Sequence, residues 1–571
     1  MHFLLVIACI VIPSLGVDLP SHTAKCLHLP EDREWPTSHE WKQLNTSVGG
    51  RLIAGLPLAH ACHGTEYDHA QCQQIQANFT LPLTYYQDPV NVMSPYWLND
   101  TCDPLTSQNA SCVLGNMPSY AINVQDAKSV QAGLKFAQRK NIRLVIKNTG
   151  HDYIGRSNGK GSLSLWTHNL KTMQIINYKS SAYTGKALKA GAGVQFFEAN
   201  QFAADNGVRV VGGYCPSVGM VGGYIQGGGH GPLASSYGLA ADNTLEFEVV
   251  TVDGRHTVAS PTQNSDLYWA LSGGGAGTYA IVLSATVKAH QDGPTAGAAF
   301  EFENTDENTY FAGIGAFHQW LRSATKVPGF ASSWGFNNQA FQLNVATLTN
   351  GTQKDMETVM APLLKSLKAL NITVLQYAAK SYDNYHAQYE AYTFPPEIYA
   401  TNNSLGGRLI PGTLIDNNLS GLIETYKTVV KDSSFYNRIS GISVNVTHAR
   451  VGNTAASNSV LPAWRDALIT LNFGVGFSPD ADSAELQASQ VKVNQWQTLF
   501  RNLTPGGGAY MNEATFDDPT WKEDYFGSNY NRLLKIKQKY DPKFVLWQHT
   551  SVGFDAYWQL DGRGALCRVK S

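Results

Sequence analysis

Two glycine-rich stretches hold the side chains of this chain that are best suited to chemistry. Residues 147–157 read KNTGHDYIGRS, and residues 212–231 read GGYCPSVGMVGGYIQGGGHG. Small residues in such loops let successive backbone N–H groups converge on an anion such as a pyrophosphate. One loop of this kind is explained equally well by a tight turn. Two of them, each directly after a predicted strand, favour a cofactor that carries phosphate.

Each loop also contains one side chain with nucleophilic character, His151 in the first and Cys215 in the second. The simplest interpretations are a hydrogen-bonded loop histidine and a buried thiol. The chain has no G-x-G-x-x-G, no G-x-x-x-x-G-K-[ST] and no H-E-x-x-H pattern. These absences argue against a Rossmann dinucleotide site, a P-loop and a zincin, and no metal site is predicted.

The elements predicted around the two loops place each loop at the end of a strand. Apolar runs and alternation predict strands, and 3.6-residue spacing predicts helices. Strands are expected at 120–124, 142–146, 163–167, 172–176, 187–191, 208–211, 246–252, 279–287, 296–302 and 341–348. Helices are expected at 194–206, 306–325, 353–370 and 530–539 and after the N-cap Asp126, where Val130, Leu134 and Ala137 share a face. The order indicates an α+β or α/β region followed by long antiparallel strands covered by helices.

The composition excludes two broad classes of protein. Of 571 residues, 43% are hydrophobic and 15% are charged, which is typical of a globular chain rather than a disordered one. Lys and Arg total 42 and Asp and Glu total 44, so the net charge is −2. Without a basic excess we predict no nucleic-acid partner. The length allows two or three domains.

The amino terminus predicts export. The apolar run 3–12 is followed by Pro13 and small residues, as in a signal peptide, and we assign residues 1–17 to it. No later apolar run is long enough to span a bilayer, so no membrane partner is predicted. Ten Asn-x-Ser/Thr sequons predict N-glycans on a secreted, extracellular protein. They lie at Asn45, Asn78, Asn99, Asn109, Asn350, Asn371, Asn402, Asn418, Asn445 and Asn502.

The cysteines leave one thiol to explain. Loss of the signal peptide removes Cys9 and leaves seven. The spacing suits two local pairs, Cys62 with Cys72 and Cys102 with Cys112, while Cys26 and Cys567 stand at the two ends and could join them. Sequence alone leaves about 15 pairings open for six cysteines. In this scheme Cys215 is the seventh cysteine, outside the three pairs.

Four stretches together resemble the berberine-bridge-enzyme-like branch of the vanillyl-alcohol oxidase flavoproteins, in the layout of its secreted fungal members. They are NTGHDYIGRS, GYCPSVGMVGGYIQGGGHGPLASSYGLAADN, ALSGGGAGTYAIV at 270–282 and YNRLLKIKQKYDP at 530–542. The resemblance implies an α+β fold with five parts. These are the signal at 1–17, a disulfide-tied extension at 18–115, a two-part FAD-binding domain of the PCMH type at 116–290, a substrate domain at 291–515 with an antiparallel sheet covered by helices, and a C-terminal segment at 516–571 that returns to the FAD domain.

The resemblance also implies FAD held by two covalent bonds, from His151 to the flavin 8α-methyl carbon and from Cys215 to flavin C6. Such a thioether would account for the seventh cysteine. A neutral imidazole nitrogen or a thiolate can add to an electron-poor flavin. The remaining cofactor contacts expected from the resemblance are Asn148, Thr149, Gly150, Asp152, Ser157, Ser217, Val218, Gly219, Gly222 and Gly223 around the pyrophosphate, Gly227 and His230 close to the cofactor, and Ile281 and Val282 on the adenine side.

The catalytic segment departs from the family pattern. Many relatives carry Tyr-x-Asn-Tyr before the tail, where this chain has Tyr510-Met511-Asn512-Glu513. Tyr510, Asn512 and Glu513 are therefore the catalytic candidates. Glu513 is either the base, with a pKa raised by burial, or a structural carboxylate. Its place at a tyrosine position puts a sugar substrate in doubt.

The resemblance implies a secreted FAD oxidase, expected to be a monomer. Such an enzyme takes a hydride from a small-molecule alcohol, phenol, carbohydrate or secondary metabolite onto flavin N5 and reduces O₂ to H₂O₂. A flavin dehydrogenase with another acceptor and a flavin-binding protein without turnover are alternatives. A secreted glycosidase is a third alternative, but it has no use for Cys215 or the two loops.

Overall fold

The computed structural model describes residues 26–98, 102–392, 403–432, 437–478 and 481–569. The predicted signal peptide at 1–17, Cys9 and the sequons Asn99 and Asn402 lie outside these residues. Helices and sheets are mixed throughout the described chain, and the predicted α+β class is confirmed.

The first loop follows a small sheet of four strands. In spatial order the strands are Leu52–Ala54, Tyr120–Asn123, Leu163–Trp166 and Leu144–Lys147; the first pair is antiparallel and the others are parallel. Helix Ala127–Lys140 packs on this sheet with Val130, Leu134 and Ala137 buried, as predicted. Its N-cap is Asp126, whose carboxylate accepts the Ser129 N–H.

The second loop lies beside an antiparallel sheet of five strands. Their order is Met173–Lys179, Thr184–Gly191, Ile281–Lys288, Thr244–Val250 and His256–Ala259. Helix Phe196–Asp205 precedes Gly207, whose φ of 65° is the left-handed conformation that ends many helices. This half also contains a pair of two-residue strands, Val208–Arg209 and His290–Gln291. Its three short helices are Ala234–Tyr237, Ala240–Asn243 and Ser265–Leu271.

An antiparallel sheet of seven strands forms the other wall of the molecule. Its order is Leu375–Tyr382, Thr295–Glu303, Ala340–Thr349, Phe330–Phe336, Asn437–Ser443, Ala467–Gly476 and Asn403–Pro411. One face packs aromatic and aliphatic side chains against helices, as predicted. The main covering helices are Glu307–Ala324, Gln353–Ala369, Gly412–Val430 and Ser483–Leu503.

The two ends of the described chain meet. Disulfides join Cys62 to Cys72 and Cys102 to Cys112 in the N-terminal segment, which contains helices Ser38–Ser47, His69–Asn78 and Pro82–Tyr86. A third disulfide joins Cys26 to Cys567. The C-terminal segment contains helices Trp521–Phe526 and Tyr530–Tyr540 and the hairpin Trp558–Leu560 with Leu566–Arg568. All three expected pairings are thus present, and Cys215 is outside them.

Within the described residues, no helix combines the length and the apolar character needed to cross a membrane.

Candidate active site

A cavity of about 870 Å³ lies between the two glycine-rich loops and the uncovered face of the seven-stranded sheet. It brings together most of the predicted site residues. These are Asn148, Thr149, Gly150, His151, Asp152, Ser157, Cys215, Val218, Gly219, Gly222, Gly223, His230, Tyr510, Asn512 and Glu513. Four predicted residues, Ser217, Gly227, Ile281 and Val282, do not line it.

Asp152 shapes the first loop from within. One oxygen of its carboxylate accepts the Ser157 N–H at 2.6 Å and the Ser157 hydroxyl at 2.7 Å, and the other accepts the Ile154 N–H at 3.2 Å. Asp152 and Ser157 therefore fold the loop back on itself. Gly150 has φ 88°, a conformation that glycine adopts without the cost paid by other residues.

Asn148 is the contact between the first loop and the second. Its Nδ2 donates to the Ala192 carbonyl at 2.7 Å and to the Thr167 hydroxyl at 3.1 Å. A Cβ at Gly219 would lie 2.2 Å from Asn148 Oδ1, and one at Gly222 would lie 2.4 Å from Asn148 Cγ. The two loops can approach this closely only because both positions are glycine.

His151 and Cys215 meet at Ser217. His151 Nε2 lies 2.8 Å from the Ser217 hydroxyl, and Cys215 Sγ lies 3.5 Å from the same oxygen. Burial, together with the charge of Lys147, lowers the pKa of His151 to about 3. The imidazole is therefore neutral at physiological pH, as a nucleophilic nitrogen requires. Lys147 itself is buried, and its ammonium donates to the backbone carbonyls of Tyr85 and Asp88.

Glu513 is bound on one oxygen by two donors from different elements. Its Oε2 lies 3.2 Å from His230 Nε2 and accepts the Asn472 Nδ2–H at 2.9 Å. Desolvation raises the Glu513 pKa, but the charge of His230 and the hydrogen bonds from His230 and Asn472 outweigh it, so the net pKa is lowered. The expectation of a pKa raised by burial is therefore wrong, because donors from both walls of the cavity stabilise the carboxylate.

Tyr510 and Asn512 connect the catalytic segment to the second loop. Asn512 Nδ2 donates to the Tyr510 hydroxyl at 2.9 Å and to the Gly223 carbonyl at 3.3 Å. A Cβ at Gly227 would lie 2.4 Å from that nitrogen, so Gly227 serves this contact rather than the cavity. Burial, with the nearby Glu513 charge, raises the pKa of Tyr510 far above its usual value, so Tyr510 is a phenol and not a phenolate.

Ile281 and Val282 lie away from the cavity. They begin the strand Ile281–Lys288 and are buried in the core. The side chain of Ile281 packs in the hydrophobic core cluster that also contains Val250 and Leu283. The structure therefore gives these two residues a packing role, and a contact with the adenine side stays a prediction.

Several side chains of the site escaped the sequence prediction. Tyr153 lines the cavity, and burial raises its pKa, with further contributions from Cys215 and Glu513. Asn472 and Arg438 come from the seven-stranded sheet, on strands Ala467–Gly476 and Asn437–Ser443. Tyr153 stands inside the quoted first loop and could have been singled out as a phenol two residues after His151. The two sheet residues carry no local signal.

Buried polar atoms without protein partners show that the cavity suits a polar ligand. Among the described residues, six cavity-lining side chains each have one such atom, namely Asn148 Oδ1, Tyr153 Oη, Tyr214 Oη, His230 Nδ1, Asn472 Oδ1 and Gln548 Oε1. Buried polar groups are normally satisfied by protein, water or ligand. The donors and acceptors around a cavity of this size, with two glycine-rich loops on one side, fit a large heterocyclic cofactor that carries phosphate.

Comparison with known proteins identifies that cofactor. Residues 118–260 match the family model described as an FAD binding domain, and residues 509–553 match the one described as berberine and berberine like. The FAD-linked oxidoreductase patO of Aspergillus clavatus is 40% identical over 566 residues, which cover 98% of this chain and 97% of that protein. The VAO-type flavoprotein oxidase VAO615 of Thermothelomyces thermophilus is 41% identical over 573 residues, covering 96% of each.

Solved structures agree with this relationship. The VAO-type flavoprotein MtVAO615 from Myceliophthora thermophila superposes with a TM-score of 0.90 at 39% identity, over 95% of this chain and 100% of that one. Glucooligosaccharide oxidase of Acremonium strictum shares the fold, with a TM-score of 0.64 at 19% identity over 77% of this chain and 92% of that one. Its description names a 6-S-cysteinyl, 8α-N1-histidyl FAD.

The fold and the cavity define an FAD-dependent oxidoreductase. The chain belongs to the berberine-bridge-like family of vanillyl-alcohol-oxidase-type flavoproteins, and the resemblance found in its sequence is confirmed. The glycosidase alternative is thereby excluded.

Proposed function

We propose that this protein is a secreted oxidase that binds FAD through both His151 and Cys215 and oxidises a small molecule at a hydroxyl-bearing carbon. The observation that carries the proposal is the placement of His151, Cys215 and the charged Glu513 around one cavity. FAD bound between the two loops would supply the acceptor for a hydride from substrate carbon, and its reoxidation by dioxygen would give H₂O₂.

Glu513 serves as the base in this proposal. Its Oε2 is held by His230 and Asn472, whereas Oε1 makes no hydrogen bond to a described residue. Of the Glu513 side chain, 32% is exposed at the cavity. Oε1 is therefore available to accept the proton of a substrate hydroxyl, and the two donors on Oε2 keep the group oriented while it does so.

The sheet wall supports a polar substrate. Successive side chains of a strand lie on opposite faces of the sheet. Ile439 therefore packs in the aromatic core, whereas Arg438 and Ser440 line the cavity. Polar side chains from neighbouring strands continue this surface, at Ser333, Gln342, Asn344 and Asn472. A wall of hydroxyls, amides and one guanidinium favours a substrate with several hydrogen-bonding groups, which includes polyhydroxylated and phenolic compounds.

The same proposal includes the cofactor-binding residues named from the sequence. It also includes the division of the chain into five parts, with boundaries at 17, 115, 290 and 515. In it the loops at 148–157 and 217–223 hold the FAD pyrophosphate, because their backbones face the cavity where they approach each other. The segment 516–571 returns to the FAD domain, which is supported by Gln548 lining the cavity beside Gly277.

Secretion is supported by the three disulfides, because such bonds persist in oxidising compartments. We propose N-glycans at the sequons whose asparagine is exposed, namely Asn109, Asn350, Asn371, Asn418 and Asn502. The half-buried Asn445 is expected to stay unmodified, since its Nδ2, the atom a glycan would join, donates to the Thr325 carbonyl. We propose that the protein acts as a monomer.

The first test measures the attachment of the flavin. The full-length protein is precipitated in acid, and flavin absorbance is compared between pellet and supernatant for wild type, His151→Ala, Cys215→Ala and the double variant. We expect the colour to stay with the pellet in wild type and in each single variant and to be released only in the double variant. Release from the wild type contradicts covalent attachment.

The second test measures the chemistry. Wild type and Glu513→Gln are mixed anaerobically with a panel of phenolic alcohols, polyols and oligosaccharides, and bleaching of the flavin is followed. Removal of a general base typically costs 10²–10⁴-fold, so bleaching in the variant should slow by about that factor. Bleaching followed by H₂O₂ formation on admission of air supports an oxidase. Bleaching that air does not reverse indicates a dehydrogenase, and no bleaching indicates a binding protein.

A further inference from the structure

Ser217 lies between the two side chains proposed to hold the flavin. Its hydroxyl is 2.8 Å from His151 Nε2 and 3.5 Å from Cys215 Sγ. The residue is completely buried. Among the described residues, these two side chains are the only hydrogen-bond partners of that hydroxyl, although they come from two different loops.

The backbone around Ser217 is held independently of this hydroxyl. The Ser217 carbonyl accepts the Gln195 Nε2–H at 2.6 Å, and Gln195 forms a β-bridge with Gly219. Gln195 in turn caps helix Phe196–Asp205, since its backbone N–H donates to Glu198 at 2.8 Å. The backbone that carries the hydroxyl is thus positioned by contacts that do not involve the two nucleophiles.

A hydrogen-bond relay through one hydroxyl, in which the serine accepts from one neighbour and donates to the other, can run in only two directions. In the first, Nε2–H donates to Ser217 and the Ser217 O–H donates to sulfur. In the second, the serine O–H donates to Nε2 and the S–H donates to the serine. Only the first leaves the lone pair of His151 on Nδ1, which makes no hydrogen bond to a described residue, and at the same time stabilises the Cys215 thiolate.

We infer that Ser217 is the positioning residue for both flavin bonds. It holds His151 with Nδ1 as the nucleophilic atom and supports Cys215 as a thiolate. The inference rests on the double attachment proposed above. Each attachment replaces one flavin C–H bond and one side-chain N–H or S–H bond by a C–N or C–S bond. The two hydrogens removed, as two protons and two electrons, reduce one dioxygen to H₂O₂, and Ser217 is the first acceptor of the Nε2 proton.

The test compares Ser217→Ala with Ser217→Thr in the full-length protein. Flavin is measured in the acid pellet, and peptides containing residue 151 or residue 215 are weighed by mass spectrometry with and without flavin. We expect the alanine variant to bind FAD but to contain at least tenfold fewer molecules with both bonds. Threonine keeps a hydroxyl at the same atom, so it should restore both bonds to within twofold of wild type.

A second pair separates the hydroxyl from the shape of the side chain. Ser217→Val matches Ser217→Thr in volume but lacks the hydroxyl. Loss of the two flavin bonds in the valine variant but not in the threonine variant supports the positioning role of the Ser217 hydroxyl. Two outcomes overturn that role. One is an equal loss of flavin bonds in the valine and threonine variants, and the other is an alanine variant that keeps both bonds while the wild type is doubly linked. Wild-type flavin that washes out in acid overturns the double attachment itself, and the role of Ser217 falls with it.

Discussion

At the scale of single residues, Glu513 shows that neighbours and not burial decide the charge of a carboxyl group. Desolvation alone would have raised the pKa of its carboxyl group. Two donors, His230 from the second loop and Asn472 from the sheet, reverse that effect. The base of the proposed reaction is thus prepared by residues that lie 283 and 41 positions away in the chain.

Removal of the Asn472 donor should shift the acidic limb of the pH profile of flavin reduction to higher pH. A base with a lowered pKa is active above that pKa and loses activity as the pH falls through it. In Asn472→Leu the carboxylate loses a hydrogen bond worth about 1.5–3 kcal/mol, so its pKa and the acidic limb should rise by about one unit or more. The readout is the pH dependence of anaerobic flavin reduction.

Asn344→Leu is the matched control for that experiment. Asn344 also lines the cavity, but its Nδ2 faces the Ser333 hydroxyl at 3.4 Å and not Glu513. Its profile should keep the wild-type acidic limb. An unchanged limb in Asn472→Leu, or an equal shift in both variants, contradicts the assignment of Glu513 as the base.

At the scale of elements, the cofactor loops are positioned by a π-helical turn, Met220–Tyr224, that packs on the end of a parallel strand. The contact is Gly222 against Asn148, with no room for a methyl group. The turn contacts the strand Ile281–Lys288 of the five-stranded sheet, whereas the parallel strand belongs to the four-stranded sheet. The spacing of the turn and the parallel strand determines how far His151 and Cys215 stand from each other.

A methyl group at this contact should therefore separate the loops. Gly222→Ala is expected to lower thermal stability, since overpacking of this kind costs about 1–3 kcal/mol, and to reduce the flavin content of the purified protein. Gly315→Ala is the control, because a Cβ there meets nothing within 4 Å and lies inside helix Glu307–Ala324. That change should leave stability equal or slightly higher. Equal unfolding temperatures for the two variants would contradict the close-contact argument.

The elements also show how far the sequence could predict the molecule. Local rules worked where local chemistry decides: Asp126 caps its helix, Gly207 follows one, and the two local disulfide pairs match the spacing. The family motif brought His151 and Cys215 to attention. The sheet wall with Arg438 and Asn472 was missed, because a lone polar residue in a strand does not reveal which face becomes the wall of a cavity.

At the scale of the whole molecule, the disulfide between Cys26 and Cys567 closes nearly the entire chain, since its ends are separated by 541 positions. Backbone contacts continue the junction, since the Leu27 N–H donates to the Leu566 carbonyl at 2.8 Å. The C-terminal hairpin is thereby fixed to the segment that precedes the first sheet.

The stabilisation from this bond should exceed that from a local one. The double change Cys26→Ser with Cys567→Ser is expected to lower the free energy of unfolding by about 2–5 kcal/mol, because a long open chain regains more conformational entropy than a short one. The matched pair Cys62→Ser with Cys72→Ser opens a loop of only ten residues and should cost less. Denaturant unfolding measures both. A larger loss from the local pair would contradict the entropic argument.

The cavity is completed late in the synthesis of the polypeptide chain. Its wall contains Cys215 from the first half of the chain and Gln548, which lies close to the carboxyl end. At a synthesis rate of roughly 10 residues per second, about half a minute separates the appearance of these two residues. During that interval the thiol of Cys215 coexists with the disulfide-forming cysteines of the N-terminal segment while its own site is still missing one wall. In the proposed function, the flavin is therefore attached to Cys215 only after most of the chain has been made, and the thiol must stay unreacted until then.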